Sequence, residues 1–128
     1  HREKALAAAE QKVANHLTEA ERKAAVKRAA QMLAEKTAHF AKEMGVTYGR
    51  ITIREQKTRW GSCSSAGNLN YNWKLVLMPE RVMDYVVIHE LAHRKEMNHS
   101  ARFYAVVAQQ MPDYKVWQSW LKEHGREY

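Results

Sequence analysis

The first third of the chain has the composition and spacing of helix. Residues 2–44 are rich in Ala, Glu, Lys and Gln and contain no Gly or Pro, which favours helix throughout. Thr18 and Glu21 have the spacing of a capping box, so we expect a break there and a second helix after it. That helix carries an apolar stripe at spacings of three and four and ends before Gly45. The stripe consists of Val26, Ala29, Leu33, Thr37, Phe40 and Met44.

After Gly49 the apolar period changes from helical spacing to two. Ile51 and Ile53 alternate with polar residues, and so do Leu69, Tyr71 and Trp73. Alternation of this kind predicts half-buried strands. Residues 64–68 between them are turn-forming types. We therefore expect a hairpin or meander of antiparallel strands.

The last third returns to helix. Pro79 suits the first helical position, and nearly every residue from Val82 to Ala92 is apolar, which predicts a buried central helix running to about Met97. Two more helices are expected at about 100–110 and 113–123. The predicted fold class is α+β, with a small antiparallel sheet beside the central helix and long helices before it. At 128 residues we expect one domain: a helical part (1–45), strands (46–78), and the central and C-terminal helices (79–128).

Composition narrows the class of protein. Hydrophobic residues make up 45% and charged residues 27%, and no apolar run approaches the roughly 20 residues that a bilayer crossing needs. The lone Cys63 cannot form an internal disulfide. We therefore expect a soluble, cytoplasmic protein with no membrane partner. The chain begins at His1 without methionine, which leaves open that it is a fragment of a longer protein. Its oligomeric state is not indicated.

Two histidines and a glutamate stand inside the predicted buried helix. His89 and His93 are four residues apart, so they project from one helix face and can share a metal ion, and Glu90 follows the first of them. This is the H-E-x-x-H arrangement of zinc metallopeptidases. A catalytic zinc takes three protein ligands and a water, and His99 is in reach if the helix ends near Asn98 and the chain bends back. We therefore predict Zn²⁺ on His89, His93 and His99, with Glu90 as general base.

Ordinary core histidines are the competing explanation for this group. It would have to account for three of them on or beside a buried element, where each unsatisfied polar group costs free energy. The other histidines lack such neighbours, and we expect them at the surface; they are His1, His16, His39 and His124.

The spacing from His89 to His99 is that of the metzincin signature, but Glu96 stands where those proteins have glycine. The turn must therefore be made differently.

The segment Arg59-Trp60-Gly61-Ser62-Cys63-Ser64, with the motifs around His89 and Asn98-His99-Ser100, resembles the YgjP-like family of metal-dependent hydrolases, which is similar to SprT and WLM metallopeptidases. The resemblance extends from about Ala24 to Leu121. It implies a compact zincin-like fold, zinc ligation by the three histidines and catalysis by Glu90. Phe103-Tyr104 stands where the family usually has Phe-Trp. Arg94 replaces a usually apolar residue, which would put a charge near the pocket.

Further residues are candidates for contact with substrate. Arg59, Ser62 and Asn72 could act as oxyanion donors or phosphate contacts. Tyr71 and Tyr85 are weaker candidates for the oxyanion role, because tyrosines at such positions are more often core. Trp60, Cys63 and Trp73 are expected in the core, and Cys63 is not expected to bind zinc.

Three functions are consistent with the sequence. The leading one is a zinc metallopeptidase acting on a peptide or protein, with a flanking strand that aligns the substrate. A nucleotide pyrophosphatase is the alternative, motivated by the formal net charge of +7. The third is a nucleic-acid-associated, SprT-like protease, although the interleaved charges of the first helix are more typical of a solvated face.

Overall fold

The computed structural model describes residues 17–56 and 59–128. Four α-helices are present in these ranges: α1 (Glu19–Met44), α2 (Glu80–Ala92), α3 (Ala101–Gln110) and α4 (Tyr114–His124). The strands are β1 (Ile51–Arg54), β2 (Gly61–Cys63) and β3 (Leu69–Asn72), and 3-10 helices span Trp73–Leu77 and Gly125–Glu127. The α+β prediction is confirmed. The helix expected before Thr18, together with His1 and His16, lies outside the described residues.

The boundaries of α1 are those that its sequence signals predict. The Thr18 hydroxyl accepts from the Glu21 amide at 3.1 Å and the Glu21 carboxylate accepts from the Thr18 amide at 3.1 Å, so the capping box is confirmed. Gly45 ends the helix in the left-handed region, at φ 70°, which glycine adopts without steric cost. The buried stripe is shifted slightly from the predicted one, because Val26 and Phe40 are only half-buried. It consists of Ala25, Ala29, Leu33, Thr37, Ala41 and Met44.

The sheet differs from the antiparallel arrangement that was expected. Its order is β1-β3-β2: β2 pairs antiparallel with β3, but β1 pairs parallel with it, Ile51 opposite Leu69. The antiparallel prediction is therefore wrong for β1. A tight turn joins β2 to β3, and β1 and β2 lie on opposite sides of β3. The strand pattern also ends at Asn72, because Trp73 begins the first 3-10 helix.

Helix α2 is the central element of the core. It packs against α1, β2, α3 and α4, and residues 82–88 are all buried, which accounts for its nearly continuous apolar sequence. Two boundary predictions need correction. Pro79 caps the helix rather than opening it, and the helix ends at Ala92 rather than near Met97. Within the described ranges, no helix combines the length and apolar character needed to cross a membrane.

The C-terminal end of α4 buries a histidine that was expected at the surface. His124 is 2% exposed, its ring lies 4.8 Å from that of Trp120, and its Nδ1 lies 3.4 Å from Glu127 Oε1. The second 3-10 helix follows directly from Gly125. His39, by contrast, is exposed as predicted.

Candidate metal centre

The three predicted histidine ligands converge on one point. His99 Nε2 lies 3.2 Å from His89 Nε2 and 3.1 Å from His93 Nε2, and one ring nitrogen of each lies within 4.8 Å of the others. A tetrahedral zinc with Zn–N bonds of 2.0–2.1 Å holds its ligand nitrogens about 3.3 Å apart. His93 follows the last residue of α2 but keeps right-handed helical dihedrals, so the one-turn relation to His89 survives.

His99 arrives through a compact turn after α2. Backbone amides of Arg94 and Glu96 bond back to Leu91 and Ala92, and the Ser100 amide bonds to the Asn98 carbonyl at 2.8 Å. Ser100 then caps α3 through its hydroxyl. Among the described residues, only glycines have positive φ. The chain therefore bends back to His99 without a left-handed residue, and it does so after a helix that ends at Ala92 rather than near Asn98.

The electrostatics of the histidines fit a cation. Burial lowers the pKa of His89 to about 4, and the neighbouring His93 and His99 add to the effect. Burial and His99 also lower the pKa of His93, while backbone groups of Glu96 and Met97 act in the opposite direction. Both shifts favour the neutral imidazole in His89 and His93, and the Nε2 atoms of the three rings lie close together. A shared metal ion is the group that these lone pairs fit.

A single aromatic ring packs against all three imidazoles. The centroid of Phe103, on α3, lies 4.9 Å from that of His89, 4.5 Å from His93 and 5.0 Å from His99. Phe103 is fully buried, so it limits how far any of the three rings can turn. The Phe-Tyr pair after the third histidine therefore has a direct role in shaping the cluster.

Glu90 lies beside the cluster in a confined position. It is 6% exposed, and burial raises the pKa of its carboxyl to about 8, against the opposing effect of the Arg59 charge. Strand β2 approaches it closely at Gly61. A methyl group placed on Gly61 would come within 3.2 Å of Glu90 Oε2 and 3.0 Å of Val86 Cγ1. Glycine is thus required for this distance between strand and helix.

A cavity of about 500 Å³ joins the histidines, Glu90 and strand β2. Residues 59–63 form one wall, α2 forms the other through Tyr85, Val86 and the two histidines, and Met97 and Leu121 complete it. The sequence analysis did not identify Met97 or Leu121 as cavity residues, because an apolar side chain gives no indication of contact with a ligand. Val86 was missed as well, although it lies one turn before Glu90 and therefore shares its helix face.

The predicted polar contacts divide into two groups. Arg59 and Ser62 line the cavity. Asn72 does not: it is 2% exposed, donates to the backbone carbonyl of Gln56 at 2.8 Å and accepts from the Lys74 amide. Its side-chain amide is therefore occupied by hydrogen bonds to these two backbone groups. The proposed substrate contact is therefore withdrawn for Asn72.

The tryptophans, the tyrosines and Cys63 also differ in whether they lie in the core or line the cavity. Trp73 is buried as expected, but Trp60 and Cys63 are half-buried and line the cavity. Burial raises the pKa of the Cys63 thiol, which disfavours the thiolate that binds metals. Tyr71 is a core residue whose hydroxyl pairs with Thr37 at 3.0 Å, whereas Tyr85 lines the cavity. Burial raises the pKa of Tyr85 to about 12.

The sequence suggested that Arg94 puts a charge near the pocket, but its side chain forms contacts elsewhere. Its guanidinium donates to the backbone carbonyls of Thr47 at 2.8 Å and Ser65 at 3.2 Å. It lies so close to Gly67 that a side chain there would collide with it. Arg94 therefore links the turn between β2 and β3 to the segment that follows α2, and it is not among the residues that line the cavity.

Comparison with known proteins identifies the family of the chain. The family profile described as YgjP-like, metallopeptidase domain matches residues 1–124. No curated protein is significantly similar to the chain. The crystal structure of the metallopeptidase zymogen of Pyrococcus abyssi abylysin is 24% identical, with a TM-score of 0.65 over 73% of this chain and 96% of that one. That of Methanocaldococcus jannaschii jannalysin is 19% identical, with a TM-score of 0.55 over 66% and 90%.

Proposed function

Because this chain belongs to the YgjP-like metallopeptidase domain family, we propose that it hydrolyses peptide bonds with a zinc ion held by His89, His93 and His99. The observation that carries the proposal is the convergence of three Nε2 atoms beside a buried glutamate in one open cavity. Both structural neighbours are named as metallopeptidases, and their resemblance supports the fold. We also propose that the enzyme acts in the cytoplasm.

The chemistry divides between the ion and the chain. Zinc, when bound, supplies Lewis acidity and makes a water molecule nucleophilic near neutral pH. Glu90 accepts a proton on its carboxylate as the attack proceeds and delivers it to the leaving amine nitrogen. General acid–base catalysis of this kind needs a carboxyl group held beside the reacting atoms, and Glu90 is held in the cavity between α2 and strand β2.

Strand β2 is suited to hold the substrate. In the described part of the chain it pairs with β3 on one edge only, and Gly61, Ser62 and Cys63 line the cavity. An extended peptide can add to such an edge through backbone hydrogen bonds. The scissile bond would then lie between the strand and α2. Arg59 and Ser62 are the polar side chains placed to contact it.

A cleavage assay with matched variants tests the function. Zinc-loaded protein is incubated with an unfolded protein substrate and a mixed peptide library, and products are identified by mass spectrometry. Glu90→Gln should keep its zinc and lose about 100-fold or more of the rate. Glu35→Gln, on the exposed face of α1, should cleave normally. Intact substrates with the wild-type protein, or undiminished cleavage by Glu90→Gln, would contradict the proposal.

Nucleotide hydrolysis is the second candidate, favoured by Arg59 in the cavity and by the formal net charge of +7. A cationic side chain beside a metal suits phosphate oxygens as well as a carbonyl. Release of pyrophosphate or phosphate from a nucleotide panel, dependent on Arg59 and Glu90, would support it. No release from any nucleotide would exclude it.

A further inference from the structure

Tyr85 holds the outer nitrogen of one metal-site histidine. It precedes His89 by one turn of α2, and its hydroxyl lies 3.3 Å from His89 Nδ1, with the two ring centroids 5.7 Å apart. Tyr85 is 5% exposed. The other nitrogen of the same imidazole, Nε2, faces His99. The His89 ring is therefore engaged at both of its nitrogen atoms.

The neighbouring His93 is held differently. Its Nδ1 atom is buried without a hydrogen-bond partner in the described part of the chain, and its ring packs against Phe103 in a tilted arrangement, with the centroids 4.5 Å apart and the planes at 31°. Among the hydrogen bonds of the described residues, the bond from Tyr85 is the one that joins a side chain to an Nδ1 atom of this cluster. Tyr85 is thus placed to act on His89 in a way that packing alone does not.

The contact with Tyr85 bears on which ring nitrogen of His89 carries the proton. A neutral imidazole carries one N–H, so Nε2 can offer its lone pair to a metal only when the proton is on Nδ1. That Nδ1–H then donates to the Tyr85 oxygen. We propose that Tyr85 is a positioning residue, which holds His89 in the Nδ1–H tautomer and so raises the affinity of the site for zinc. The inference rests on the metal site of the proposed function.

Zinc affinity measured by competition with a chromophoric chelator tests the inference, with Tyr85→Phe compared with Tyr71→Phe. Both variants remove one hydroxyl from a buried tyrosine, but the Tyr71 hydroxyl pairs with Thr37 and not with a histidine. Loss of such an outer partner weakens metal binding by about 10–100-fold. We expect that loss in Tyr85→Phe and a change of less than about twofold in Tyr71→Phe. An unchanged zinc Kd in Tyr85→Phe, or equal losses in both, would overturn the inference.

Nitrogen-15 spectra of the zinc-loaded wild-type protein give a second readout that depends on no variant. In these spectra His89 should show a protonated Nδ1 whose proton exchanges slowly with solvent. In a folded Tyr85→Phe variant the same proton should exchange faster. A proton on Nε2 would overturn the inference. So would a Tyr85→Phe variant that keeps its zinc affinity and loses only catalytic rate, because the hydroxyl would then act on substrate. If the wild-type protein binds zinc but cleaves no peptide, the proposed function fails and the affinity comparison still decides this inference.

Discussion

Replacing Gly61 with alanine tests how closely strand β2 must approach the metal-binding helix. The added methyl carbon would lie 3.0 Å from Val86 Cγ1 and 3.1 Å from Glu90 Cγ, distances shorter than ordinary van der Waals contact. Val86 and Glu90 are 3% and 6% exposed, so neither can move aside freely. Overpacking of this kind costs about 1–3 kcal/mol. The contacts are relieved by a shift of a few tenths of an ångström, part of which falls on Glu90. Because a misplacement of about 1 Å can cost about 100-fold, this smaller shift should lower kcat/KM by about 10-fold or less.

Gly45→Ala is the matched control for this variant. Position 45 has a φ of 70° and no neighbouring atom within 4 Å of an added methyl carbon, so its cost is backbone strain alone, about 1–2 kcal/mol. Urea unfolding should show similar losses of stability in the two variants, while peptide cleavage falls in Gly61→Ala only. Wild-type stability and cleavage in Gly61→Ala would refute the reasoning. Equal losses of cleavage in both variants would show that stability, and not the position of Glu90, controls activity.

Three further predictions concern stability. Leu33→Ala empties a fully buried position of α1 and should lower the free energy of unfolding by about 2–5 kcal/mol in urea titrations; a loss below 1 kcal/mol would contradict the core assignment. Thr18→Ala removes the capping box and should cost about 0.5–2 kcal/mol, whereas no change would mean that the cap is unimportant. Hydrogen bonds from Trp73 and Arg22 lower the pKa of Glu55, so their contribution is present above the unfolded pKa and is lost as pH falls through the lower folded pKa. Unfolding of Glu55→Gln should therefore depend less on pH below about 4.5, and an unchanged acid profile would count against this ion pair.

The metal site could be predicted from sequence because most of its geometry is local. The spacing of His89 and His93 on one helix fixes their common face, and only His99 had to be placed by a guess about a turn. His99 does lie beside the other two histidines, but the expected helix end near Asn98 was wrong, since the helix ends at Ala92. The roles of the three histidines and of Glu90 stay predictions until metal and activity are measured.

The pairing of the strands could not be predicted from the same information. Alternation shows which face of β1 is buried but not which strand lies beside it or in which direction. Strand β2 was missed as well, because Gly61-Ser62-Cys63 has no apolar alternation. Its position is set by contact with α2 and by the hairpin that Arg94 fastens. The burial of His124 likewise depends on tertiary packing at the end of α4, where its ring contacts that of Trp120.

Bound metal is the most direct test of the account. Elemental analysis of the purified protein after zinc reconstitution and removal of free ions should find about one zinc per chain, and a His93→Ala variant that remains folded by circular dichroism should hold almost none. His39→Ala, which changes an exposed histidine of α1, should retain the metal. No zinc in the wild-type protein, or equal zinc in His93→Ala, would contradict the assignment of the site.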